Sequence, residues 1–438
     1  MSILLVVIGI ILLIVLIIGL KYNPFVAFII SSIFVGIAEG MKSADVITAI
    51  QQGIGDTLGS IVLILGFGAM LGKMVADSGA AQRISSKLIG LFGIRNIQWA
   101  MVITGFMVGI PMFYNVGFVV LIPLVFTVAA SSGLPLLYVG IPLLASLSVT
   151  HGFLPPHPSP IAICSMFDAD VGKTIGYGMI ISIPAIIVAG PYFAKTLKKV
   201  KASPIKEFVS SRVLSEDEMP GIWSSVLTTL MPVILIGLYS FSTIFIPEGN
   251  RLRSVLGFLG DPVIAMLISL LAAVYLLGIG KGKKMSEIME SLGNSIGSIT
   301  MVLLIIAGAG AFKQVLISSG VSNDIAGLLT KSDMSPLLLS WLIAAVIRIC
   351  IGSATVAGLT TAGILIPLAT SGTVDKELMV LAIGAGSLML SHINDSGFWM
   401  YKEYFNLSVK DTFKTWTVME TIVSTIGLFG VLIADMIL

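Results

Sequence analysis

The sequence predicts an all-α polytopic membrane protein built from two repeats with broken helices. First, 56% of the 438 residues are hydrophobic and 11% are charged, whereas soluble domains carry about 25% charged residues. Second, mean hydropathy is +1.05, and apolar runs of the ~20 residues that cross a bilayer recur along the chain. Third, several motifs recur in the same order in the two halves. These features exclude a soluble fold and indicate on the order of a dozen spans.

Charge and cysteine content narrow the classes of partner and cofactor. The formal net charge is +2 and no block of like charges occurs, so no nucleic-acid partner is indicated. Cys164 and Cys350 both lie in apolar sequence, which predicts neither a disulfide framework nor a cysteine zinc site. We therefore expect no metal and no cofactor, and a lipid bilayer as the surrounding medium.

The apolar segments divide into full spans and shorter pieces. Residues 3–20 lack a basic start and a small-residue cleavage site, so they predict a first membrane span rather than a signal peptide. Segments of about 10 to 16 residues interrupted by Gly and Pro are typical of half-helices or re-entrant hairpins. In chain order, the apolar segments are 3–20, 24–40, 57–76, 99–109, 115–131, 137–149, 174–194, 224–246, 261–279, 299–318, 336–351, 355–370, 377–391 and 415–437.

A polar stretch separates the two halves of the chain. It predicts a first membrane repeat at 1–194, a polar cytoplasmic linker at 195–222 and a second membrane repeat at 223–438. The linker and a second basic cluster, two predicted spans later, both indicate cytoplasmic loops because positive residues accumulate on that side. The basic residues of the linker are Lys195, Lys198, Lys199, Lys201, Lys206 and Arg212, and those of the second cluster are Lys281, Lys283 and Lys284.

Self-comparison supports a duplicated plan. The third of the recurring motif pairs aligns His151 with His392. Two long repeats in an apolar chain are typical of secondary transporters. The motif pairs are 66–79 with 308–320, 109–123 with 352–367, and 146–158 with 387–399.

Each half contains a polar interruption within apolar sequence. His151 is followed closely by Pro155, Pro156, Pro158 and Pro160, and no continuous helix passes through such a run. Broken backbone at membrane depth is tolerated around a cavity, where freed amides can hold an anion; an extramembrane turn is the alternative. The two matched breaks predict a substrate site that includes Thr150, His151, Gly152, Ser391, His392, Asn394 and Asp395.

All the histidines of the chain, His151, His157 and His392, fall in these breaks. A histidine titrates near neutral pH, so it can take up a proton or donate to a carboxylate. The alternative is a neutral histidine that only satisfies nearby backbone groups. The candidates for proton coupling are Asp77, His151, His392 and Asp395, and His157 is a further candidate for the site.

Charged residues inside apolar segments add to the candidate site. Arg348 interrupts an apolar span, where an ionised side chain costs roughly 2.5 to 3.5 kcal/mol and needs a partner. That partner is either a substrate carboxylate or an acid of the chain such as Asp395. Lys73 and Lys313, matched by the repeat, either face the site or extend to the membrane interface. Hydroxyl residues that suit either a polyol or helix packing are Ser353 and Thr355.

These motifs resemble those of the gluconate permease family, the gluconate:proton symporters, along essentially the whole chain. The resemblance implies uptake of gluconate or a related sugar acid across the cytoplasmic (inner) membrane of a bacterium, and relatives carry D-serine. It also implies inverted repeats with paired re-entrant hairpins, a scaffold and a transport domain, an elevator-like mechanism and a homodimer. The motifs that carry the similarity are 66–79, 148–160, 312–321, 348–363 and 391–405.

The chain departs from the family's pattern at Asn115. In the stretch Phe113-Tyr114-Asn115-Val116-Gly117, related gluconate permeases usually have glutamate where this chain has Asn115. An amide cannot carry a proton. If that glutamate couples the proton in the family, this chain uses another acid or a histidine, has altered coupling, or carries an engineered change.

We expect proton-coupled uptake of a small anionic sugar acid. D-serine or another small hydroxy acid is the alternative substrate for such a symporter. An intramembrane enzyme is disfavoured, since no His-Glu-x-x-His zinc motif or nucleophile signature occurs in the sequence. A passive channel is a third possibility, and a protonophore would leave its uptake unchanged.

Overall fold

The apolar segments fold as helices throughout the part of the chain that the structure describes, and no strand occurs there. The structure is a computed structural model, and it describes residues 2–110, 112, 114–155, 157–205, 214–216, 218–247, 249–320, 334–369 and 374–438. Phe113, Pro156, Lys206 and Arg212, which belong to the motifs and the basic linker above, lie outside these residues.

The first half contains a sharp bend and a deeply buried helix. The fourth and fifth helices meet at an angle of 96°, next to Gly93, whose φ of 71° lies in the left-handed region. The seventh helix is 89% buried. The helices are α1 (Ser2–Ile14), α2 (Pro24–Ala38), α3 (Ser43–Asp77), α4 (Ala80–Phe92), α5 (Ile97–Gly109), α6 (Tyr114–Ser132), α7 (Leu136–Phe153), α8 (Pro158–Phe167), α9 (Val171–Ile187) and α10 (Phe193–Thr196).

The second half has several helices that continue into π-helical turns. One such turn, Val274–Gly278, extends α13, and another, Phe413–Thr417, joins α19 to α20. The helices of this half are α11 (Ile222–Phe245), α12 (Arg251–Leu259), α13 (Pro262–Ala273), α14 (Met285–Ser318), α15 (Pro336–Ile351), α16 (Ala354–Ala369), α17 (Lys376–Gly386), α18 (Ser396–Tyr404), α19 (Val409–Thr412) and α20 (Val418–Ile437).

Polar caps start corresponding helices in the two halves. Asn23 Oδ1 accepts a hydrogen bond from the Phe25 N–H at 2.9 Å, and Asp261 Oδ1 accepts from the Val263 N–H, also at 2.9 Å. In both cases a proline occupies the first helical position. Proline is tolerated there because an N–H at that position has no intrahelical hydrogen-bond partner. The caps thereby define where α2 and α13 begin.

Within the described residues, eight helices are long and apolar enough to cross a membrane, or nine if the bent α4–α5 pair is one span. This number is below the dozen or so that hydropathy suggests. The difference arises because several apolar segments form helices of 10–17 residues, among them α2 and α15. Such helices agree with the half-helices that the Gly- and Pro-interrupted segments predict.

The long helices α3 and α14 cross at a pair of glycines. A Cβ atom on Gly53 would lie 2.4 Å from the Gly310 carbonyl oxygen, and one on Gly310 would lie 2.6 Å from the Gly53 carbonyl oxygen. Only glycine lets the two backbones approach this closely. The crossing brings Thr57 of α3 next to α14, on one side of the cavity described below.

The polar linker runs along one end of the helix bundle. Its first part lies beside the end of α18, where the Ser203 N–H donates to the Phe405 carbonyl at 3.1 Å. Its last part contacts the turn after α13, since Lys281 Nζ donates to the Met219 carbonyl at 3.3 Å. The linker and the second basic cluster therefore meet at the same end of the molecule. That this end faces the cytoplasm stays a prediction.

Candidate functional site

A polar cavity of about 230 Å³ lies inside the bundle, where the broken helices of both halves meet the α3–α14 crossing. Arginine, histidine, carboxyl, amide and hydroxyl groups all contribute to its wall. This mixture is typical of a site for a small polar ligand. The polar side chains that line the cavity are Thr57, Tyr114, Asn115, Ser148, His151, Lys313, Arg348, Ser353, Thr355, Asn394, Asp395, Ser396, Trp416 and Glu420.

Arg348 is the central cation of the cavity. It occupies the last turn of α15, and its side chain is 4% exposed. Its Nη2 atom lies 2.5 Å from Asp395 Oδ2, so the acid of the chain that the sequence suggested is indeed its partner. The Nε and Nη1 atoms of Arg348 are buried and have no hydrogen-bond partner among the described residues. The guanidinium therefore keeps donors free toward the cavity.

Asp395 is held rigidly against that arginine. Its Oδ1 accepts from the Gly397 N–H at 3.0 Å, which caps α18, and its Oδ2 also accepts from the Ser391 hydroxyl. Ser391 Oγ in turn accepts from Trp416 Nε1 at 2.7 Å. The carboxylate is thus fixed by the backbone and by a hydrogen-bonded chain from the α19–α20 turn, and it orients Arg348.

The polar residues of the breaks also satisfy the ends of broken helices. The Nε2–H of His392 donates to the Ile349 carbonyl at 2.9 Å, and Asn394 Nδ2 donates to the same oxygen at 2.7 Å. In the first half, the Nε2–H of His157 donates to the Gly109 carbonyl at 2.7 Å. Carbonyls at a helix C-terminus lack intrahelical partners, so His157 and His392 stabilise the interrupted ends of α5 and α15.

Several buried polar atoms in the cavity wall have no partner among the described residues. A buried polar group is nearly always hydrogen-bonded, and leaving one unpaired costs roughly 1 to 3 kcal/mol. Their concentration around one cavity indicates a ligand with several hydrogen-bonding groups. These atoms are Arg348 Nε and Nη1, Tyr114 Oη, His151 Nδ1, Asn394 Oδ1 and Thr57 Oγ1.

Aromatic contacts position Tyr114 and His151, the two residues of this set that carry rings. The Tyr114 ring lies 5.6 Å from the Trp416 ring and 6.3 Å from the His151 ring, measured between centroids. The His151 ring in turn meets the His157 ring edge-on at 5.3 Å. The Tyr114 hydroxyl and His151 Nδ1 are therefore presented to the cavity from a packed wall rather than from mobile side chains.

Other residues that the sequence singled out lie around the cavity or away from it. Asn115, Lys313, Ser353 and Thr355 line it together with the residues above. Thr150 donates to the Leu147 carbonyl at 3.0 Å. Residues of the candidate set that are absent from its lining are Lys73, Asp77, Thr150, Gly152, His157, Ser391 and His392.

Lys73 and Asp77 form a separate pair on α3. Lys73 Nζ lies 3.1 Å from Asp77 Oδ1, at i and i+4 of the same helix. The Ser291 hydroxyl of α14 donates to Asp77 Oδ2 at 3.3 Å. Lys73 and Ser291 line a second pocket, which also contains Glu287 and Glu290. The pair is therefore local to the α3–α14 surface, apart from the polar cavity.

Sequence reasoning missed six polar residues of the cavity wall, namely Thr57, Tyr114, Ser148, Ser396, Trp416 and Glu420. Glu420 lies in the apolar helix α20 and is 2% exposed. The Ser148 hydroxyl donates to its Oε1 at 2.6 Å. The signal for Glu420 was present, because a lone acid inside an apolar span is as costly as the lone Arg348.

No group of three or more His, Cys, Asp or Glu side chains in the described part of the chain lies close enough together to hold a metal ion. What the cavity offers instead is one arginine with free donors and a surrounding set of hydroxyl, amide and imidazole groups. Such a set binds an anion that also carries hydroxyl groups.

A polar cavity between interrupted, apolar helices is typical of membrane transport proteins. Residues 1–437 match the family described as GntP family permease, and the chain belongs to that family. It is 50% identical over 430 residues to the Gnt-II system L-idonate transporter of Escherichia coli (strain K12), covering 98% of each chain. It is 51% identical to a high-affinity gluconate transporter of the same bacterium, covering 100% of each chain.

A gluconate permease of Bacillus subtilis (strain 168) is 45% identical, again with 100% of each chain covered. The resemblance to the gluconate permease family that the motifs indicated is thereby confirmed. The chain is a multi-pass protein of the bacterial cytoplasmic membrane and, like its relatives, a transporter rather than an enzyme.

Proposed function

We propose that the protein takes up gluconate or a closely related sugar acid together with a proton, across the cytoplasmic membrane. One observation carries the proposal: the buried Nε and Nη1 atoms of Arg348 have no hydrogen-bond partner among the described residues, and Arg348 lines the polar cavity. Relatives of 45% to 51% identity are named for gluconate, and another is named for L-idonate. Both compounds are sugar acids, in which one carboxylate is followed by a chain of hydroxyl groups.

The carboxylate of the substrate binds Arg348 in this proposal. Hydrogen bonds between guanidinium and carboxylate are charge-assisted and about twice as strong as neutral ones. Asp395 already pairs with Nη2 of Arg348. The substrate carboxylate therefore binds the Nε and Nη1 donors, and their position determines its orientation in the cavity. Lys313, also in the cavity wall, adds positive charge on the α14 side.

The hydroxyl groups of the substrate meet the other unpaired atoms of the wall. Tyr114 Oη and Thr57 Oγ1 can donate or accept, whereas Asn394 Oδ1 accepts only. A polyol supplies both donors and acceptors along its length, so it satisfies this mixture. A small amino acid has too few hydroxyl groups to do so.

Proton coupling follows from the energetics of concentrating an anion in a cell with a negative interior. Moving one negative charge inward costs ~2.3 kcal/mol per 100 mV, and each tenfold of concentration costs a further ~1.4 kcal/mol. A proton that travels with the anion cancels the electrical cost and adds the energy of the pH gradient.

An elevator-like movement of the broken helices is the proposed route. The break segments of the two halves pack closely, since a Cβ atom on Gly152 would lie 2.5 Å from the Leu388 side chain, and one on Gly384 of α17 would lie 2.3 Å from the Gly152 carbonyl oxygen. Such close packing favours movement of these helices as one unit against the α3–α14 pair, which forms the opposite wall.

A two-repeat architecture with inverted topology belongs to the same proposal. His157 satisfies the end of α5 in the first half, and His392 with Asn394 satisfies the end of α15 in the second. In each half, therefore, a histidine satisfies the end of the helix at the break, although the motif alignment pairs His392 with His151 rather than with His157. The homodimer and the assignment of scaffold and transport domains stay predictions.

Uptake into proteoliposomes tests the proposal. With an acidic exterior, we expect radiolabelled gluconate to accumulate above its external concentration, and a protonophore to abolish the accumulation. Gluconate that only equilibrates, with or without the protonophore, would indicate a passive channel. Inhibition by D-serine without any gluconate uptake would instead assign a small hydroxy amino acid as substrate.

Replacing Tyr114 with phenylalanine tests the polyol part of the site. The variant removes one hydroxyl and keeps the ring contacts with Trp416 and Phe118, so we expect normal folding. The affinity for gluconate should fall by up to about tenfold, because one hydrogen bond contributes about 0.5 to 1.5 kcal/mol. Calorimetric titration of the purified protein measures the change.

The matched control is Tyr22→Phe, which changes an exposed tyrosine between α1 and α2. It should bind gluconate as the wild type does. Unchanged affinity of Tyr114→Phe would place the substrate hydroxyls elsewhere in the cavity.

A further inference from the structure

The cavity wall holds two cations and two acids among the described residues. Apart from His151 and Tyr114, its ionisable residues are Lys313, Arg348, Asp395 and Glu420. Arg348 is paired with Asp395 at 2.5 Å. Lys313 interacts electrostatically with Asp56 of α3, which does not line the cavity. Within the described residues, Glu420 is therefore the acid of the wall without an ion pair.

Glu420 is enclosed and has only a neutral partner. It is 2% exposed, and its Oε1 accepts from the Ser148 hydroxyl at 2.6 Å. No ion pair to Glu420 occurs within the described part of the chain. A hydroxyl can donate to a carboxylate and can equally accept from a protonated carboxyl. The contact is thus compatible with both forms of Glu420.

The groups that face Glu420 come from several elements. Arg348 of α15 and Asp395 before α18 act on it electrostatically. Ser148 and His151 of α7 and Tyr114 of α6 line the same cavity, whereas no described residue of α9 or α17 does. Of these groups, Asp395 is held in its ion pair, and His151 is the one other candidate for taking up a proton at physiological pH.

Binding of an anionic substrate adds one negative charge to the cavity. With the substrate carboxylate on Arg348 and Glu420 ionised, the site would hold three negative charges against the two positive charges of Arg348 and Lys313. Uncompensated charge in such surroundings is strongly disfavoured. One proton on Glu420 removes one of these charges, so substrate and proton favour each other's binding.

We propose that Glu420 carries the coupled proton: it takes up the proton from the outer side when the sugar acid binds, and loses it to the cytoplasm when the sugar acid leaves. This inference rests on the proposed function and names the residue that links the movement of the sugar acid to the movement of the proton. Asn115, in the same wall, is a neutral amide and cannot do this.

The test compares Glu420→Gln with wild type and with Glu403→Gln in proteoliposomes that contain a trapped pH-sensitive dye. Gluconate should drive proton entry in the wild type. In Glu420→Gln we expect proton entry and gradient-driven accumulation to fall at least tenfold, while gluconate exchange persists without its dependence on pH. Glu403, which pairs with Lys402 at 2.8 Å outside the cavity, is the matched carboxyl, and its variant should remain coupled.

A second measurement needs no variant. Calorimetric titration of the wild type with gluconate, in buffers of different ionisation enthalpy, reports protons bound per substrate. At alkaline pH, where Glu420 is ionised before gluconate binds, we expect net uptake of protons on binding. Binding without proton uptake would overturn the assignment of Glu420.

The outcomes separate the two proposals. Proton entry that persists in Glu420→Gln and is lost in His151→Gln would overturn the assignment in favour of His151. A wild type that accumulates gluconate without proton entry would overturn proton coupling itself and Glu420 with it. A wild type that transports no gluconate would overturn the substrate assignment.

Discussion

Arg348→Lys is expected to lower the affinity for gluconate by about 10- to 100-fold while the protein remains folded. Lysine keeps a positive charge beside Asp395, so the buried acid stays compensated. It lacks the Nε and Nη1 donors that are unpaired in the cavity. Hydrogen bonds to charged groups contribute roughly 1.5 to 3 kcal/mol, and ~1.4 kcal/mol corresponds to a tenfold change in affinity. Calorimetric titration with gluconate measures the loss.

Alanine at the same position separates binding from stability. Arg348→Ala leaves Asp395 buried without a cation, which should destabilise the protein by about 3 to 5 kcal/mol. The double variant with Asp395→Asn should recover much of the thermal stability and still fail to bind gluconate.

Arg83→Lys is the matched control, because Arg83 donates to the Glu216 and Pro220 carbonyls of the linker and does not line the cavity. Wild-type affinity in Arg348→Lys would refute a direct contact between substrate and guanidinium.

Gly352→Ala is expected to prevent assembly of the site. Gly352 has a φ of 77°, a left-handed conformation that costs other residues roughly 1 to 2 kcal/mol. A Cβ atom there would also lie 2.2 Å from the Asn394 carbonyl oxygen. Since backbone cannot yield as a flexible side chain does, the break before α18 would have to move. We expect a lower yield of folded protein, a lower Tm in detergent and loss of gluconate binding.

The control for this substitution lies on the next helix. Gly363 of α16 has its nearest neighbour, the Met166 side chain, 3.7 Å from the position of an added Cβ. Gly363→Ala should therefore fold and bind gluconate normally. If Gly352→Ala had the same Tm and affinity as Gly363→Ala, the close contact between Gly352 and the Asn394 carbonyl would not be required for the site.

The sequence identified the breaks and the cation of the site. A run of prolines after His151 prevents a continuous helix wherever it occurs, and a lone arginine in an apolar span needs a partner in any fold. Eight of the candidate residues do line one cavity: Asn115, His151, Lys313, Arg348, Ser353, Thr355, Asn394 and Asp395.

Other residues depended on distances that the sequence does not contain. His392 is a sequence candidate for proton coupling and His157 a further candidate for the site, and in the structure each donates to a carbonyl at the end of a broken helix. Tyr114 and Ser148 looked like ordinary residues of apolar helices, and they face the cavity only because α6 and α7 pack around it. Likewise, eight or nine helices of membrane-spanning length occur among the described residues, fewer than the dozen that hydropathy indicates, because several apolar segments form helices of 10–17 residues.

By itself, therefore, the sequence determined that this protein is a helical transporter with a pair of polar breaks and a buried arginine. Hydropathy, proline content and the cost of a charge in a bilayer are local properties, and they hold whatever the packing. The tertiary structure alone decided which charges neutralise each other. Arg348 meets Asp395, and the described partner of the Glu420 carboxyl is the Ser148 hydroxyl. Those pairings depend on a few ångströms between helices far apart in the chain, over which electrostatic energies change most steeply.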